Sequence, residues 1–312
     1  MIREIEIKNQ QQWLELRKKS IGGSDAAAVV NLNQYQSRYS LWAEKTGKVE
    51  AFAGNIATDV GHILEDYVAQ LFEMETGKKV EKRDVTIYND EYPFAHANVD
   101  RFLVDEDAIL ECKTTSSIPF MRIMKNGKEF PDSWYCQMVH YLAVTGKKKA
   151  YLSVLIGNSD HKIFELERDE AEIAALMQAE KEFWAFVETN TEPPADGFKA
   201  TSETLAAMYP CDDGNNVDLM AFENDMAEYL RISAQIKVLE TQKDEAANKV
   251  KAFMGNSSAG ESANYKVSWK TSERRTFDNK KFAKDNPALD LDGYYTITTS
   301  RTFRCAQKKG EK

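Results

Sequence analysis

The sequence predicts an α/β (α+β) fold in which helices flank a short mixed sheet. Apolar residues recur at the spacing of an amphipathic helix over residues 58–76, 132–145 and 168–189. Runs typical of strands lie between these helices, at residues 85–88, 94–104, 108–114, 150–156 and 162–166. Strands that are interleaved with helices in this way form a sheet with helices packed on it.

The first fifty residues are expected to be helical with a glycine break. A helix starts at the pair Asn9-Gln10, and Gly22-Gly23 forms a turn. Ser24 and Asp25 are typical N-cap residues, so we expect them to begin a second helix. A third, short helix is expected over residues 40–46.

The central part of the chain combines a long helix with a β-hairpin. Residues 58–76 have apolar side chains three and four positions apart, and Gly77 ends the helix. The strands 94–104 and 108–114 are separated by the acidic turn Asp105-Glu106-Asp107, which predicts a hairpin.

The sequence predicts three segments. Residues 1–195 form the core domain, and the loop-rich stretch 196–216 is a linker. Residues 217–312 form an extension that starts with a helix of about 35 residues, because its apolar residues recur at intervals close to 3.5. Strands are expected near residues 265–270 and 295–305.

The composition argues against a membrane protein. Charged residues make up 29% of the chain and the mean hydropathy is −0.55. No apolar run approaches the roughly 18 residues that a membrane span needs. The N-terminus lacks the apolar segment of a signal peptide, so a cytoplasmic location is expected. The four cysteines are widely spaced and contain no CxxC pair, which is typical of reduced thiols.

The charge is unevenly distributed. The net charge of −9 argues against general adhesion to DNA. From Gly255 onward, however, 12 Lys and Arg stand against 7 Asp and Glu. This pattern fits nucleic-acid binding confined to a cleft and a tail, and it equally fits a charged appendage. Glycine-rich phosphate loops are absent from the sequence, which disfavours an ATPase or a dinucleotide enzyme.

The hairpin brings two acids together. With a two-residue turn, Asp100 lies opposite Glu111, and their Cβ atoms would be about 5 Å apart. Lys113 shares the face of Glu111, because side chains alternate along a strand. Two carboxylates this close repel each other unless a cation lies between them. The pattern therefore indicates a Mg²⁺ site for phosphodiester hydrolysis, with ordinary surface charges as the alternative.

Other polar residues could complete such a site. Glu65 borders the apolar face of the helix 58–76, so it is either a further metal ligand or an exposed glutamate. Gln137 and Tyr141 lie one helical turn apart, where each could bind a phosphate oxygen or belong to the core. Arg17 and Ser24 flank the glycine turn, where they form a phosphate pocket or Ser24 simply caps a helix.

Six ordered segments within about residues 10–190 resemble the YqaJ-type viral recombinases, the phage lambda exonuclease branch of the PD-(D/E)XK nuclease superfamily. They are Trp13-Leu14-Glu15-Leu16-Arg17, Ile21-Gly22-Gly23-Ser24-Asp25-Ala26, Gly61-His62-Ile63-Leu64-Glu65, Asn98-Val99-Asp100, Glu111-Cys112-Lys113 and Tyr135-Cys136-Gln137-Met138. The resemblance implies a PD-(D/E)XK core with a C-terminal helical and β extension.

The resemblance also implies roles for residues at the metal site. Asp100, Glu111 and the backbone carbonyl of Cys112 would bind Mg²⁺, for which Mn²⁺ could substitute. Lys113 would steady the attacking water or the transition-state charge. Glu65 would reach a metal ion or its waters.

The remaining roles concern DNA and partners. By the resemblance, Gln137 would support the site, and Arg17 and Ser24 would hold the 5′-terminal phosphate of double-stranded DNA. Asn98 stands where lambda-type enzymes carry a serine, and it is assigned with Tyr141 to DNA contact. The resemblance further implies a homotrimeric ring and a phage single-strand annealing protein as partner.

Three functions are therefore open. The favoured one is a Mg²⁺-dependent 5′→3′ exonuclease on linear double-stranded DNA that leaves 3′ single strands for phage-type recombination. The second is an endonuclease or repair nuclease on the same core, which needs no 5′-phosphate pocket. The third is a non-catalytic DNA-end-binding scaffold that uses its long helix for assembly.

Overall fold

The computed structural model describes residues 1–290 and 292–308. The chain divides into two compact units, Met1–Tyr209 and Pro210–Lys312. Within the described residues, every helix is too short or too polar to cross a membrane.

The first unit contains eight strands and eight helices. In chain order they are β1 (Ile2–Glu6), α1 (Gln10–Lys18), α2 (Gly23–Val29), α3 (Arg38–Lys45), α4 (Ile56–Thr76), β2 (Val80–Glu81), β3 (Val85–Asn89), β4 (His96–Ala97), β5 (Arg101–Leu103), β6 (Ala108–Thr115), α5 (Ser117–Lys125), α6 (Asp132–Thr145), β7 (Lys149–Ile156), β8 (Asp160–Glu167), α7 (Glu170–Glu188) and α8 (Lys199–Met208).

These strands form two sheets. The larger is mixed and has the order β2-β5-β6-β7-β8, with β6 and β7 parallel and the other neighbours antiparallel. The smaller is antiparallel and has the order β1-β3-β4. A mixed sheet with helices is the predicted fold class, and the prediction is confirmed.

Helices cover both faces of the larger sheet. Alternation along β6 turns Ile109 toward the main apolar core, which α2, α3, α6 and α7 also line. Leu110 points to the opposite face and packs in a second cluster with Phe72 of α4. Glu111 and Lys113 lie on the face of Ile109, as the alternation predicts.

The predicted strand 94–104 is wrong in one respect, because it is interrupted at residues 98–100. The chain leaves β4 of the smaller sheet and enters β5 of the larger sheet across this break. Asn98 donates from its side-chain amide to the Val85 carbonyl and the Thr86 hydroxyl, which fixes the crossing. The periodicity of the sequence could not show that residues 94–104 contribute strands to two different sheets.

Helix ends also differ from expectation. The second helix begins at Gly23, and its N-cap is Gly22, so Ser24 lies inside the first turn and is no cap. The segment expected to be a linker, 196–216, contains α8. Strand β1 and helix α5 were not anticipated by the sequence pattern.

The second unit consists of a long helix and small elements. These are α9 (Glu223–Met254), the antiparallel pair β9 (Ala259–Glu261) and β10 (Lys266–Ser268), and α10 (Asn279–Asp285). Helix α9 has 32 residues, close to the expected length. The strand expected over 295–305 is wrong, since these residues adopt no regular structure.

Candidate active site

One cavity of about 690 Å³ in the first unit gathers all ten residues that the sequence singled out. They are Arg17, Ser24, Glu65, Asn98, Asp100, Glu111, Cys112, Lys113, Gln137 and Tyr141. They come from six separate segments of the chain, so the fold alone brings them together.

The hairpin register is the predicted one. Arg101 pairs with Leu110 across β5 and β6, so the next facing residues are Asp100 and Glu111. Asp100 ends the break before β5, and its Oδ2 accepts a hydrogen bond from the Cys112 backbone N–H at 2.7 Å. This bond points the Asp100 carboxylate toward β6.

Glu111 is held by two donors through one oxygen. Its Oε1 lies 2.6 Å from Lys113 Nζ and accepts a hydrogen bond from Gln137 Nε2 at 2.7 Å. Its Oε2 is buried and has no hydrogen-bond partner among the described residues. A buried carboxylate oxygen without a partner is costly, so this atom is a fitting ligand for a cation.

The electrostatics of Asp100 and Lys113 also favour a cation at this site. Burial raises the pKa of Asp100 well above its usual value, and the nearby Glu111 and Glu65 carboxylates raise it further. Burial acts to lower the pKa of Lys113, but the Glu111 and Asp100 carboxylates outweigh burial and raise it. Lys113 is therefore an ammonium, and its single charge faces several acids.

Glu65 reaches the cavity from α4 but is already paired. Its Oε1 lies 2.6 Å from Arg101 Nη1 and 3.5 Å from Lys82 Nζ. The buried Arg101 also donates to the Asp100 carbonyl at 2.5 Å and pairs with Asp66. Arg101 thus links α4 to the chain segment around Asp100. Arg101 was not among the residues predicted from the sequence, although side-chain alternation along the strand places the residue after Asp100 on the α4 face.

The donor set suits a hard cation without forming a closed cage. Across residues 1–290 and 292–308, no group of three or more His, Cys, Asp or Glu side chains is arranged to hold a metal ion. The ligands on offer are the carboxylates of Asp100 and Glu111 and the Cys112 carbonyl. Oxygen ligands in this number fit Mg²⁺, which keeps several waters.

Gln137 and Tyr141 form a pair behind Glu111. Gln137 Nε2 donates to Glu111 and also to the Tyr141 hydroxyl at 2.9 Å. Tyr141 is buried, and burial followed by the Glu111 and Asp100 charges raises its pKa well above 10. Gln137 therefore orients Glu111, and the Tyr141 ring belongs to the core while its hydroxyl lines the cavity.

The side-chain amide of Asn98 is hydrogen-bonded within the fold. Its amide donates to Val85 and Thr86, as described above, so both of its N–H groups are used. An amide in this state has no donor left for a phosphate oxygen. Asn98 also lines the cavity, so a contact between this residue and DNA stays a prediction.

Arg17 and Ser24 meet at the cavity rim. Arg17 Nη2 donates to Ser24 Oγ at 3.1 Å, and the guanidinium lies over the Trp13 ring at 4.7 Å. Because Ser24 is not an N-cap, its hydroxyl is available to a ligand beside the guanidinium. The capping alternative for Ser24 is thus wrong.

A buried ion pair supports this rim. Asp25 Oδ2 accepts from the Gly22 N–H at 3.0 Å and lies 2.7 Å from the buried Lys45 Nζ. Arg17 Nη2 is 3.6 Å from Asp25 Oδ1. Burial would raise the pKa of Asp25, but Lys45 and Arg17 overcome it and lower the pKa to about 2. Lys45 was not predicted from the sequence, because it joins this network only through the tertiary fold.

The sheet, the broken strand and the Asp100, Glu111 and Lys113 constellation define a PD-(D/E)XK nuclease fold. Two solved structures share it, both of the alkaline exonuclease LHK-Exo from Laribacter hongkongensis. One, at 22% identity and a TM-score of 0.51, covers 58% of this chain and 94% of that chain. The other, a complex with dAMP, has 23% identity, the same TM-score and the same coverage.

The chain belongs to the YqaJ-like viral recombinase family. The model of the YqaJ-like viral recombinase domain matches residues 12–148. The protein YqaJ of Bacillus subtilis (strain 168) is 37% identical over 302 residues, which are 95% of this chain and 93% of that relative. The resemblance inferred from six short segments is therefore confirmed, and it extends along nearly the whole chain.

Proposed function

We propose that the protein is a metal-dependent 5′→3′ exonuclease that acts on linear double-stranded DNA and leaves 3′ single strands. The observation that carries this proposal is the shared cavity of the acidic cluster and the Arg17–Ser24 rim. A nuclease centre beside a phosphate-binding rim fits an enzyme that recognises the end of a strand while cutting it.

The proposed metal is Mg²⁺, with Mn²⁺ able to substitute. Asp100, Glu111 and the Cys112 carbonyl would hold it, and the unpartnered Glu111 Oε2 supports this assignment. When bound, the ion would lower the pKa of a water and offset the charge that develops on the phosphate. Glu65 would contribute through waters, because its carboxylate is engaged by Arg101.

Lys113 is the proposed electrostatic catalyst. Its ammonium lies next to Glu111, where it can bond a nucleophilic water or a phosphoryl oxygen. Gln137 keeps Glu111 in the required orientation through its amide. The carboxylates in turn keep Lys113 protonated, so the charge is present at neutral pH.

The 5′-terminal phosphate is the proposed ligand of Arg17 and Ser24. A guanidinium and a hydroxyl 3.1 Å apart offer several donors to one phosphate. Asp25 lies beside the Arg17 guanidinium and is itself paired with the buried Lys45, so this ion-pair network holds Arg17 at the rim. Such a contact would set the polarity of digestion, since only one end of each strand carries a terminal 5′-phosphate.

The comparisons support this function without extending to its details. LHK-Exo is named an alkaline exonuclease, and one of its structures contains dAMP, a mononucleotide of the kind that exonucleases release. We also propose the assembly that the family resemblance suggests, a homotrimeric ring with a single-strand annealing protein as partner.

End-labelled linear DNA in Mg²⁺ tests the proposal. We expect faster digestion of a 5′-phosphorylated duplex than of a 5′-hydroxyl duplex, release of mononucleotides and no nicking of a closed circle. Arg17→Ala should abolish the preference for the 5′-phosphate. Nicking of the circle, or cutting by Arg17→Ala that equals wild type on both ends, would support the endonuclease alternative instead.

A further inference from the structure

The second unit carries a long helix with little to pack against. Helix α9 has 32 residues and is about 48 Å long. Among residues 210–290 and 292–308, Met254 is the one buried residue. Helices in proteins gain most of their stability from the packing of an apolar face. The exposed apolar residues of α9 therefore suggest that this helix packs against a partner.

The exposed apolar residues of α9 follow a heptad repeat. Steps of three and four residues alternate from Tyr229 through Phe253, which is the 3.5-residue period of a coiled coil. The positions are Tyr229, Ile232, Ile236, Leu239, Lys243, Ala246, Val250 and Phe253, and all eight are exposed. We call this line of residues the α9 seam. Six of its members are large and apolar.

The described part of the tail, residues 292–308, contacts the seam at its first residue, Tyr229, and leaves the later seam residues exposed. Phe303 packs edge-on against Tyr229 with ring centroids 5.4 Å apart, and Cys305 lies near the Met226 carbonyl. These contacts lie at the start of the helix. Farther along, Leu239 remains 62% exposed and Phe253 95% exposed.

We propose that the α9 seam binds the α9 seam of a second copy of this chain as an antiparallel coiled coil. The six large apolar seam residues expose on the order of 600 Å² per helix, and pairing two helices would bury about 1,200 Å², which reaches the range of specific interfaces. A repeat of this length is self-complementary, because knobs from one helix fit holes formed by the same repeat on the other.

Charge favours the antiparallel arrangement. With the helices crossing at Thr241, Lys243 packs against Leu239 of the partner subunit and reaches Glu240 of the partner subunit. A parallel, in-register pair would set Lys243 against Lys243 of the partner subunit, a like-charge contact within the seam. The antiparallel register also matches a large residue with a small one, Ile236 with Ala246 of the partner subunit.

Sedimentation of the full chain tests self-association. Leu239→Asp should halve the mass measured for wild type, whether or not the first unit forms its own ring. The matched control is Val238→Asp, which changes a residue that is 56% exposed but lies off the seam. Circular dichroism would verify that both variants keep their helix. Equal masses for wild type and both variants would overturn the proposal.

Cross-linking tests the orientation independently of any assembly through the first unit. In a background with Cys211→Ser and Cys305→Ser, the double variant Ile236→Cys with Ala246→Cys should form disulfide-linked dimers. Within one helix these positions are ten residues apart, too far for a disulfide. Each single variant should stay largely uncross-linked. Cross-linking by the single variants as efficient as by the pair, or none in any variant, would contradict the antiparallel seam.

Discussion

At the scale of residues, the negative charges of the acids at the site are partly offset by two positively charged side chains. Asp100 and Glu111 lie opposite each other, and Lys113 and Arg101 each contact the carboxylates or backbone of this group. The sequence predicted the facing acids correctly, because a two-residue turn fixes the register of a hairpin. It did not predict Arg101, whose side chain lies on the other face and meets Glu65 only through the packing of α4.

The first prediction concerns Lys113. Lys113→Ala should lower kcat about 100-fold or more, because it removes charge stabilisation from the transition state. Affinity for DNA should change little, since the lysine contributes more to the transition state than to the ground state. Single-turnover digestion and a binding titration would measure both quantities. Lys162→Ala, on β8 of the same sheet, is the control, and equal rates for the two variants would refute the role.

The second prediction concerns pH and Asp25. Lys45 and Arg17 lower its pKa from 3.8 to about 2, so the ion pair stabilises the folded state above pH 4. This contribution is lost as the pH falls from about 4 through 2, since the unfolded state then binds the proton more readily. It amounts to about 2 kcal/mol at neutral pH.

Urea unfolding of Asp25→Asn would check this value. The variant should be less stable than wild type at pH 7, and the difference should shrink at pH 3. Asp107→Asn removes an exposed ion pair with Lys147 and should cost well under about 1 kcal/mol at either pH. A deficit of Asp25→Asn that does not change with pH would contradict the assigned cause.

At the scale of elements, the close contact of α2 and α6 builds the cavity rim. Gly23 begins α2 directly over the Tyr141 ring, and a Cβ at Gly23 would lie 2.4 Å from Tyr141 Cε1. The glycine pair was predicted as a turn, but its second member is required for packing. The helices could be predicted from the sequence because their periodicity is local. The close contact between Gly23 and Tyr141 could not, because these residues are 118 positions apart in the sequence.

The third prediction follows from that contact. Gly23→Ala should lower the free energy of unfolding by about 1–3 kcal/mol, because the methyl group must displace a buried ring. Gly61→Ala lies in the interior of α4 with its nearest neighbour at 3.7 Å, so it should be neutral or stabilising by up to about 1 kcal/mol. Thermal unfolding of the two variants would measure the contrast. Equal effects would show that the α2–α6 contact is less tight than described.

At the scale of the whole molecule, the order of the elements was largely predictable and their division between sheets was not. Most helices and strands of the first unit show a clear periodicity of apolar residues. The six short segments described above were sufficient to identify the family. The break at residues 98–100 arises because one run pairs with two different sheets, which depends on long-range contacts. The expected strand 295–305 failed because β propensity alone does not supply a pairing partner.

The proposed role of Asp100 and Glu111 is to bind a divalent cation jointly. Titration of Mg²⁺ or Mn²⁺ into the full chain by calorimetry, without DNA, tests it most directly. Wild type should bind the ion, and Glu111→Gln should lose at least tenfold in affinity. Without metal, Asp100→Asn should be at least as thermally stable as wild type, because the substitution removes one of two carboxylates that repel each other. Wild type that binds no ion, or binds it no better than Glu111→Gln, would contradict the account.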